Sequence, residues 1–555
     1  MKPRSLLLLA FTLTCNALFS QSQRYTPDRN ARAVLDLLSP HALFGHIRIL
    51  SSDLFEGRAP STRGDKLAQT YIAAQMEVAG LKPAGDAGTY IQRFPIVSLT
   101  ADPSLAPTFK TIHDTLTLAY GKEFVGTSGK QQQRVEVRDA EVVFVGYGIE
   151  APEQKWNDYK DVDVRGKVLL FLNNDPPSDD PRFFGGKART YYGRWTYKYE
   201  IAAQKGAAGA IIIHTTESAG YGWNVVENSW TGEQFELARD PSTPATLLNG
   251  WITQGVAERL LKLSGHTLDA LMKSAERRDF KPVPLDMTLS AGVTTAIKAS
   301  ETANVIGVLP GNDPALQNEA VVFTAHFDHL GITKPVNGDS INNGALDNAT
   351  GVSAILNLAR MFSSLKQKPK RTLVFAAVGA EESGTLGSQY FVEHPIVPLA
   401  KIAADVNIDG INIFGKTKDI VMVGYGKSTI DEIVRRVAGW QHRTVKPDQF
   451  PEQGGFYRSD QYNFARVGIP CLYLDSGVEF IGKPADFALK KVNEYIEKHY
   501  HQPSDEIRDD WDLSGAVEDL QLTFLVAYEI ANAKEMPAWT KGDEFEAARL
   551  RLTGK

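Results

Sequence analysis

His326 and Asp328, Asp347, the pair Glu381-Glu382, Asp409 and His501 each follow an apolar run in this chain. Imidazole nitrogen and carboxylate oxygen are the atoms a zinc ion binds at about 2.0–2.2 Å, and a catalytic zinc keeps one position for water. His326, Asp347, Glu382, Asp409 and His501 supply such ligands for two ions. Ions that share one carboxylate lie about 3.5–4 Å apart and together polarise a carbonyl and activate a water. Asp347 is the candidate bridge. Adjacent glutamates make sense if one binds metal while its neighbour moves a proton from the water to the leaving group. Asp328, two residues after His326, is placed to accept the imidazole N–H that faces away from the metal. Asp505, four after His501, is placed to do the same there. His329 reads as a supporting or merely structural residue.

Taken singly, these residues have plainer explanations. The Glu pair suits a helix N-terminus, and Asp409 suits a turn cap. What the plainer explanations leave open is why all of them fall at strand ends of one α/β region. Ligands bind at the carboxyl edge of such sheets.

The elements that must position them alternate. Val321-Val322-Phe323-Thr324 reads as a strand, 351–365 as a helix with Ile355, Leu358, Phe362 and Leu365 on one face, and 372–378 as the next strand. Further strands are expected at 402–408, 420–423 and 471–474, with helices at 429–438 and 520–531. This order predicts a doubly wound, mostly parallel sheet flanked by helices. Upstream, a turn-rich stretch from Glu56 to Gly64 precedes a helix at 66–79. Strands at 142–148, 167–172 and 210–213, with a helix at 197–205, mark residues 135–295 as a separate unit.

The 555 residues are 43% hydrophobic and 23% charged, ordinary for a soluble globular chain, with a formal charge of -6 and no basic block. That composition argues against nucleic acid and anionic membranes as partners. Residues 1–20 read as a secretory signal, with basic Lys2 and Arg4, an apolar stretch from Leu6 to Leu13 and a small Ser20. The run is shorter than the roughly 18 residues a spanning helix needs. Export to the periplasm or medium is therefore expected, with no stable membrane span once the signal is removed. Lipid anchoring at Cys15 is disfavoured by the Thr12-Leu13-Thr14 context. The only other cysteine, Cys471, lies in an apolar run and reads as buried and inert.

Several motifs together resemble a zinc-dependent exopeptidase family that holds secreted bacterial aminopeptidases, glutamate carboxypeptidase, the transferrin receptor and glutaminyl cyclase. They are Thr324-Ala325-His326-Phe327-Asp328-His329, Gly344-Ala345-Leu346-Asp347-Asn348-Ala349-Thr350-Gly351 and Gly379-Ala380-Glu381-Glu382-Ser383-Gly384. Asn407-Ile408-Asp409-Gly410, Arg458-Ser459-Asp460-Gln461 and His501-Gln502-Pro503-Ser504-Asp505 complete them. The resemblance implies that His326 and Asp409 hold one zinc, that Glu382 and His501 hold the other, and that Asp347 bridges them. It further implies Glu381 as general base and a non-proline cis peptide after Asp347. Residues 135–295 resemble a protease-associated domain. Trp156, Trp195, Trp223, Trp230 and Trp251 fall there, either as core or, around Gly220-Tyr221-Gly222-Trp223, as an aromatic wall over the substrate. Tyr457 and Arg458 are candidate substrate contacts. The chain departs from the family pattern at Gln461, where His is common, and at Gly410, where Met or Asp is common. Both departures bear on specificity and leave the ligands intact.

The expected organisation is a signal at 1–20, the first part of the peptidase domain at 30–130, the β-rich α/β insertion at 135–295, the main peptidase domain at 300–535, and a tail at 536–555 that is either a docking helix or loose. The expected activity is that of a secreted dinuclear zinc aminopeptidase acting on peptides with a free N-terminus, with two Zn2+ per chain. The alternatives are a carboxypeptidase or dipeptidase of the same family, a one-zinc glutaminyl cyclase, and a receptor-like binding protein. Manganese or cobalt would also suit these ligands. The preferred N-terminal residue and the oligomeric state are not legible.

Overall fold

The structure, a computed structural model, describes residues 25–160 and 162–554. The signal reading and Cys15 lie outside them. Helices α1 (Pro40–Leu50) and α2 (Arg63–Val78) open the chain, each started by a hydroxyl cap, Ser39 and Thr62. Next come β1 (Ile91–Lys110), β2 (Phe124–Ser128), β3 (Arg134–Phe144), β4 (Val168–Leu172), α3 (Trp195–Gln204), β5 (Gly209–His214) and β6 (Leu248–Thr253). The long β7 (Val283–Leu309) leads into β8 (Ala320–His326), α4 (Thr350–Ser364), β9 (Thr372–Val378), α5 (Leu386–Glu393) and β10 (Ile402–Asn407). The chain closes with β11 (Asp419–Met422), α6 (Ile430–Trp440), β12 (Thr444–Pro447), β13 (Cys471–Asp475), α7 (Phe487–Lys498), α8 (Ser514–Asn532) and α9 (Glu546–Thr553).

One mixed sheet runs β12-β11-β13-β10-β8-β9-β7-β3-β4-β5-β6-β2. Its centre is parallel, β9-β8-β10-β13. Those strands are mostly apolar because both faces are covered, with buried Asp405 the polar interruption in β10. Val321, Phe323 and Ala325 of β8 pack toward α1, α2, α4 and α8, while Ala320 and Val322 pack against Phe391, Phe464 and Cys471 on the other face. Cys471 is buried, as read from its surroundings.

A second core lies within residues 109–293. It takes in Phe109 and Phe124, upstream of the boundary expected at 135, because β2 pairs with β6. The two cores are joined by a ribbon of β1 and β7 that the strand reading did not anticipate. One end of β7 pairs with β3 and the other with β9.

The tail is docked. Trp539 Nε1 donates to the carbonyl of Gly468 at 2.9 Å, and Trp539 and Phe545 are buried. Gly468 has a φ of 93°, and a Cβ there would lie 2.4 Å from the Arg549 amide nitrogen, so α9 seats on a position only glycine fits. Among the described residues, no helix is long and apolar enough to cross a membrane.

Candidate metal centre

The carboxyl ends of three neighbouring strands place His326 (β8), Glu381 and Glu382 (after β9) and Asp409 (after β10). Asp347 and His501 are not at strand ends, contrary to the sequence reading. Asp347 lies in an irregular turn at Ala345–Ala349 before α4, and His501 follows α7 with a φ of 57°. The Asp347-Asn348 peptide is cis, as the family resemblance implied.

The side chains converge around Asp347. Its Oδ1 is 3.2 Å from His326 Nε2, and its Oδ2 is 3.4 Å from His501 Nε2. On the first side Asp409 Oδ1 also reaches His326 Nε2, at 3.1 Å. On the other, Glu382 Oε2 reaches His501 Nε2 at 3.0 Å. Glu381 stands off, with Oε2 4.0 Å from His326 Nε2.

The surrounding layer differs from expectation in two places. His326 Nδ1 faces the backbone carbonyl of Asp328 at 3.2 Å, whereas the Asp328 carboxylate is 3.9 Å away. That carboxylate instead accepts the amides of Glu381, at 2.9 Å, and Glu382, at 3.3 Å, so it orders the Glu pair. Asp505 does not touch the His501 ring either. It accepts the amides of Leu346 and Asp347 at 3.1 and 3.0 Å and the Tyr495 hydroxyl at 3.3 Å. Acidic residues close to an imidazole in sequence are drawn here to backbone N–H groups away from solvent that have no other partner.

Other residues support the centre: His329 as the supporting alternative had it, Arg58 and Asn348 in roles the sequence did not mark. His329 Nδ1 pairs with Glu382 Oε1 at 2.6 Å. Buried Arg58 donates to the carbonyls of Leu50, Phe327, Asn343 and Gly344, tying the β8 exit to the Asp347 loop. Asn348 Oδ1 accepts the amides of Gly351 and Gly410, locking that loop to the one bearing Asp409.

Burial alone would lower His501, but Asp347 and Glu382 raise it to about 10. Burial opposes charge on His326 too, yet Asp409, Glu381 and Asp347 carry it well above the usual imidazole range. Burial pushes Glu381 well up, with Asp409 and Glu382 adding to it against the pull of His326.

The centre opens into a cleft of about 2270 Å³ shared with the inserted unit. Arg458 lines it. Tyr457 does not, which corrects its reading as a substrate contact: it is buried, and its hydroxyl is 2.5 Å from Glu544 Oε1. Gln461 is also buried, accepting from Asn407 at 2.6 Å, while Gly410 lines the cleft. Trp156, Trp223 and Trp251 pack the inserted unit, whereas Tyr221, Trp195 and Trp230 line the cleft; of the segment read as a wall, Tyr221 reaches the cleft and Trp223 does not.

Residues 304–525, which hold every member of this centre, match the family model of Peptidase family M28. This segment is similar to peptidase family M28. Leupeptin-inactivating enzyme 1 of Streptomyces exfoliatus is 29% identical over 227 residues, 39% of this chain and 47% of that protein. A probable zinc metalloprotease of Pyricularia oryzae is 33% identical over 110 residues, 20% of this chain and 20% of that one. The chain therefore spans about half the length of these curated relatives or less. Among solved structures, an aminopeptidase from Aneurinibacillus sp. strain AM-1 shares the fold with a TM-score of 0.50 at 18% identity, covering 91% of this chain and 97% of that one.

The donors of the M28-like segment suit a cation. With Nδ1–H of His326 held by the Asp328 carbonyl, its Nε2 lone pair points at two carboxylate oxygens, and only a proton or a metal ion between them makes that arrangement favourable. The same holds at His501, whose buried Nε2 has no well-aligned hydrogen-bond partner among the described residues. His326, Asp347 and Glu382 offer ligand atoms within 4.8 Å of one another.

Proposed function

We propose that this chain is an exported dinuclear zinc aminopeptidase that releases N-terminal residues from peptides. The observation that carries the reading is the double-sided Asp347 carboxylate, each oxygen facing a different imidazole that has its own second carboxylate. His326 and Asp409 would hold one ion, His501 and Glu382 the other, with Asp347 between. Bound zinc would supply Lewis acidity toward the peptide carbonyl and lower the pKa of water. The residues do the rest. Glu381 stands off from both imidazoles and moves the proton from water to the leaving amine. Asp328 fixes the backbone that aims Glu381. Asp475 lines the cleft and offers a carboxylate to a free α-ammonium. The printed names of the relatives, a zinc metalloprotease and an aminopeptidase, support the metal and the substrate class. The leader-like residues 1–20 support export.

One observation favours a carboxypeptidase instead: the guanidinium of Arg458 lines the cleft together with Arg189 and Arg194. Aminoacyl anilides with free and acetylated amines separate the readings. The aminopeptidase cleaves only the free-amine set, and cleavage of acetylated peptides from the carboxyl end would replace that reading with the carboxypeptidase.

A further inference from the structure

Arg189, Arg194 and Arg458 line the cleft where the inserted unit meets the M28-like segment. Arg189 spans the junction: its amide donates to the Pro451 carbonyl at 3.2 Å, its stem packs on Gly454, and Nη2 donates to Ser218 O at 2.8 Å. The Arg194 guanidinium sits 5.2 Å over the Tyr462 ring. Among the described residues, no carboxylate lies within ion-pair distance of any of the three, and neither Arg194 nor Arg458 has a hydrogen-bond acceptor on its guanidinium. Nε of Arg189 and of Arg194 is buried without a partner, and so are Asn174 Oδ1 and Thr196 Oγ1, which line the same wall. The nearby acids are otherwise engaged. Asp175 accepts from the Thr190 amide and hydroxyl, and Glu200 from the Tyr191 hydroxyl.

Elsewhere the chain partners its buried guanidinium groups far more completely. Arg58 donates to four carbonyls, and Arg371 pairs with Glu319 while donating to Ile530 and Ala533. The partly buried Arg189 and Arg194, with exposed Arg458 beside them, are unfavourable together unless something supplies an anion. A planar carboxylate matches the guanidinium fork with two parallel hydrogen bonds.

We propose that Arg189, Arg194 and Arg458 form a carboxylate subsite, so that the preferred substrates are peptides short enough, or acidic enough, to place a carboxylate there while the scissile bond lies at Glu381. This rests on the peptidase reading above. The carboxylate has two sources, a peptide C-terminus or an acidic side chain.

The test compares Ala-Ala-Ala with its C-terminal amide, and Ala-Glu-Ala amide with Ala-Gln-Ala amide, on the zinc-loaded full chain. Charged hydrogen bonds of this kind predict a kcat/KM ratio of about 10–100 within whichever pair carries the relevant carboxylate, expressed mainly in KM. Arg194→Gln, and separately the more exposed Arg458→Gln, are expected to bring that ratio toward one. Equal kcat/KM within both pairs, or a ratio untouched in both variants, overturns the subsite. Calorimetric binding of the same peptides to Glu381→Gln reads the subsite without turnover, and equal affinities for acid and amide there also overturn it. Loss of cleavage for every peptide while calorimetry still favours the acid form would instead strike at the peptidase reading.

Discussion

The Asp505 carboxylate accepts the amide of Asp347 at 3.0 Å and so fixes, from behind, the residue whose side chain faces both imidazoles. Asp505 also takes the Leu346 amide and the Tyr495 hydroxyl. Truncation leaves buried donors unpaired, at about 1–3 kcal/mol each. Asp505→Ala is therefore expected to loosen the Asp347 turn and weaken zinc retention by about 10–100-fold, the range seen for outer ligand partners. Competition with a chromogenic chelator measures it, and unchanged affinity would refute the positioning role.

His329 holds Glu382 through a 2.6 Å contact while its other ring nitrogen is buried without a partner. His329→Leu should weaken zinc binding at the Glu382–His501 side by about 10–100-fold, leaving one ion tight and one labile. Metal content after graded dialysis distinguishes this from uniform loss.

Gly351 approaches the loop more closely than any side chain allows. A Cβ there would lie 2.3 Å from Asn348 Oδ1 and 2.4 Å from the Ile408 carbonyl. Gly351→Ala is expected to lower stability by about 1–3 kcal/mol and to disturb the Asn348 bridge between the Asp347 and Asp409 loops. Urea unfolding read with zinc affinity tests both, and a neutral outcome in each would show that the loop adapts.

Burial, with the charge of Arg360 adding, lowers His46 to about 4 from an ordinary 6.5. As pH falls below 6.5 the unfolded chain takes up a proton that the folded chain does not, so this contribution to stability is complete above pH 6.5 and is lost down to about pH 4. His46→Gln should flatten the dependence of Tm on pH across that window. An unchanged slope would assign acid sensitivity to other groups.

The parallel strands β8, β9 and β10 were legible because burial on both faces writes them as mostly apolar runs, and the residues that converge on Asp347 stood just beyond them or in short motifs. The β1–β7 ribbon was not legible, because its exposed polar positions break the apolar pattern and its partners are remote in sequence. Asp328 and Asp505 were read as imidazole partners from spacing alone, whereas the fold offers them unpaired amides. Arg58 looked like a turn residue, and Arg189 and Arg194 meet Arg458 only after the inserted unit docks.

If Asp347 lies between two ions, turnover by Glu381 needs both of them. Titration of zinc into chelator-stripped protein, with hydrolysis of a free-amine leucine anilide recorded at each step, tests it most directly. Activity should rise to a plateau at two zinc ions per chain, and Glu381→Gln should bind the same zinc and stay inactive. Full activity at one ion, or activity indifferent to metal, would show that Asp347 does not bridge two catalytic ions.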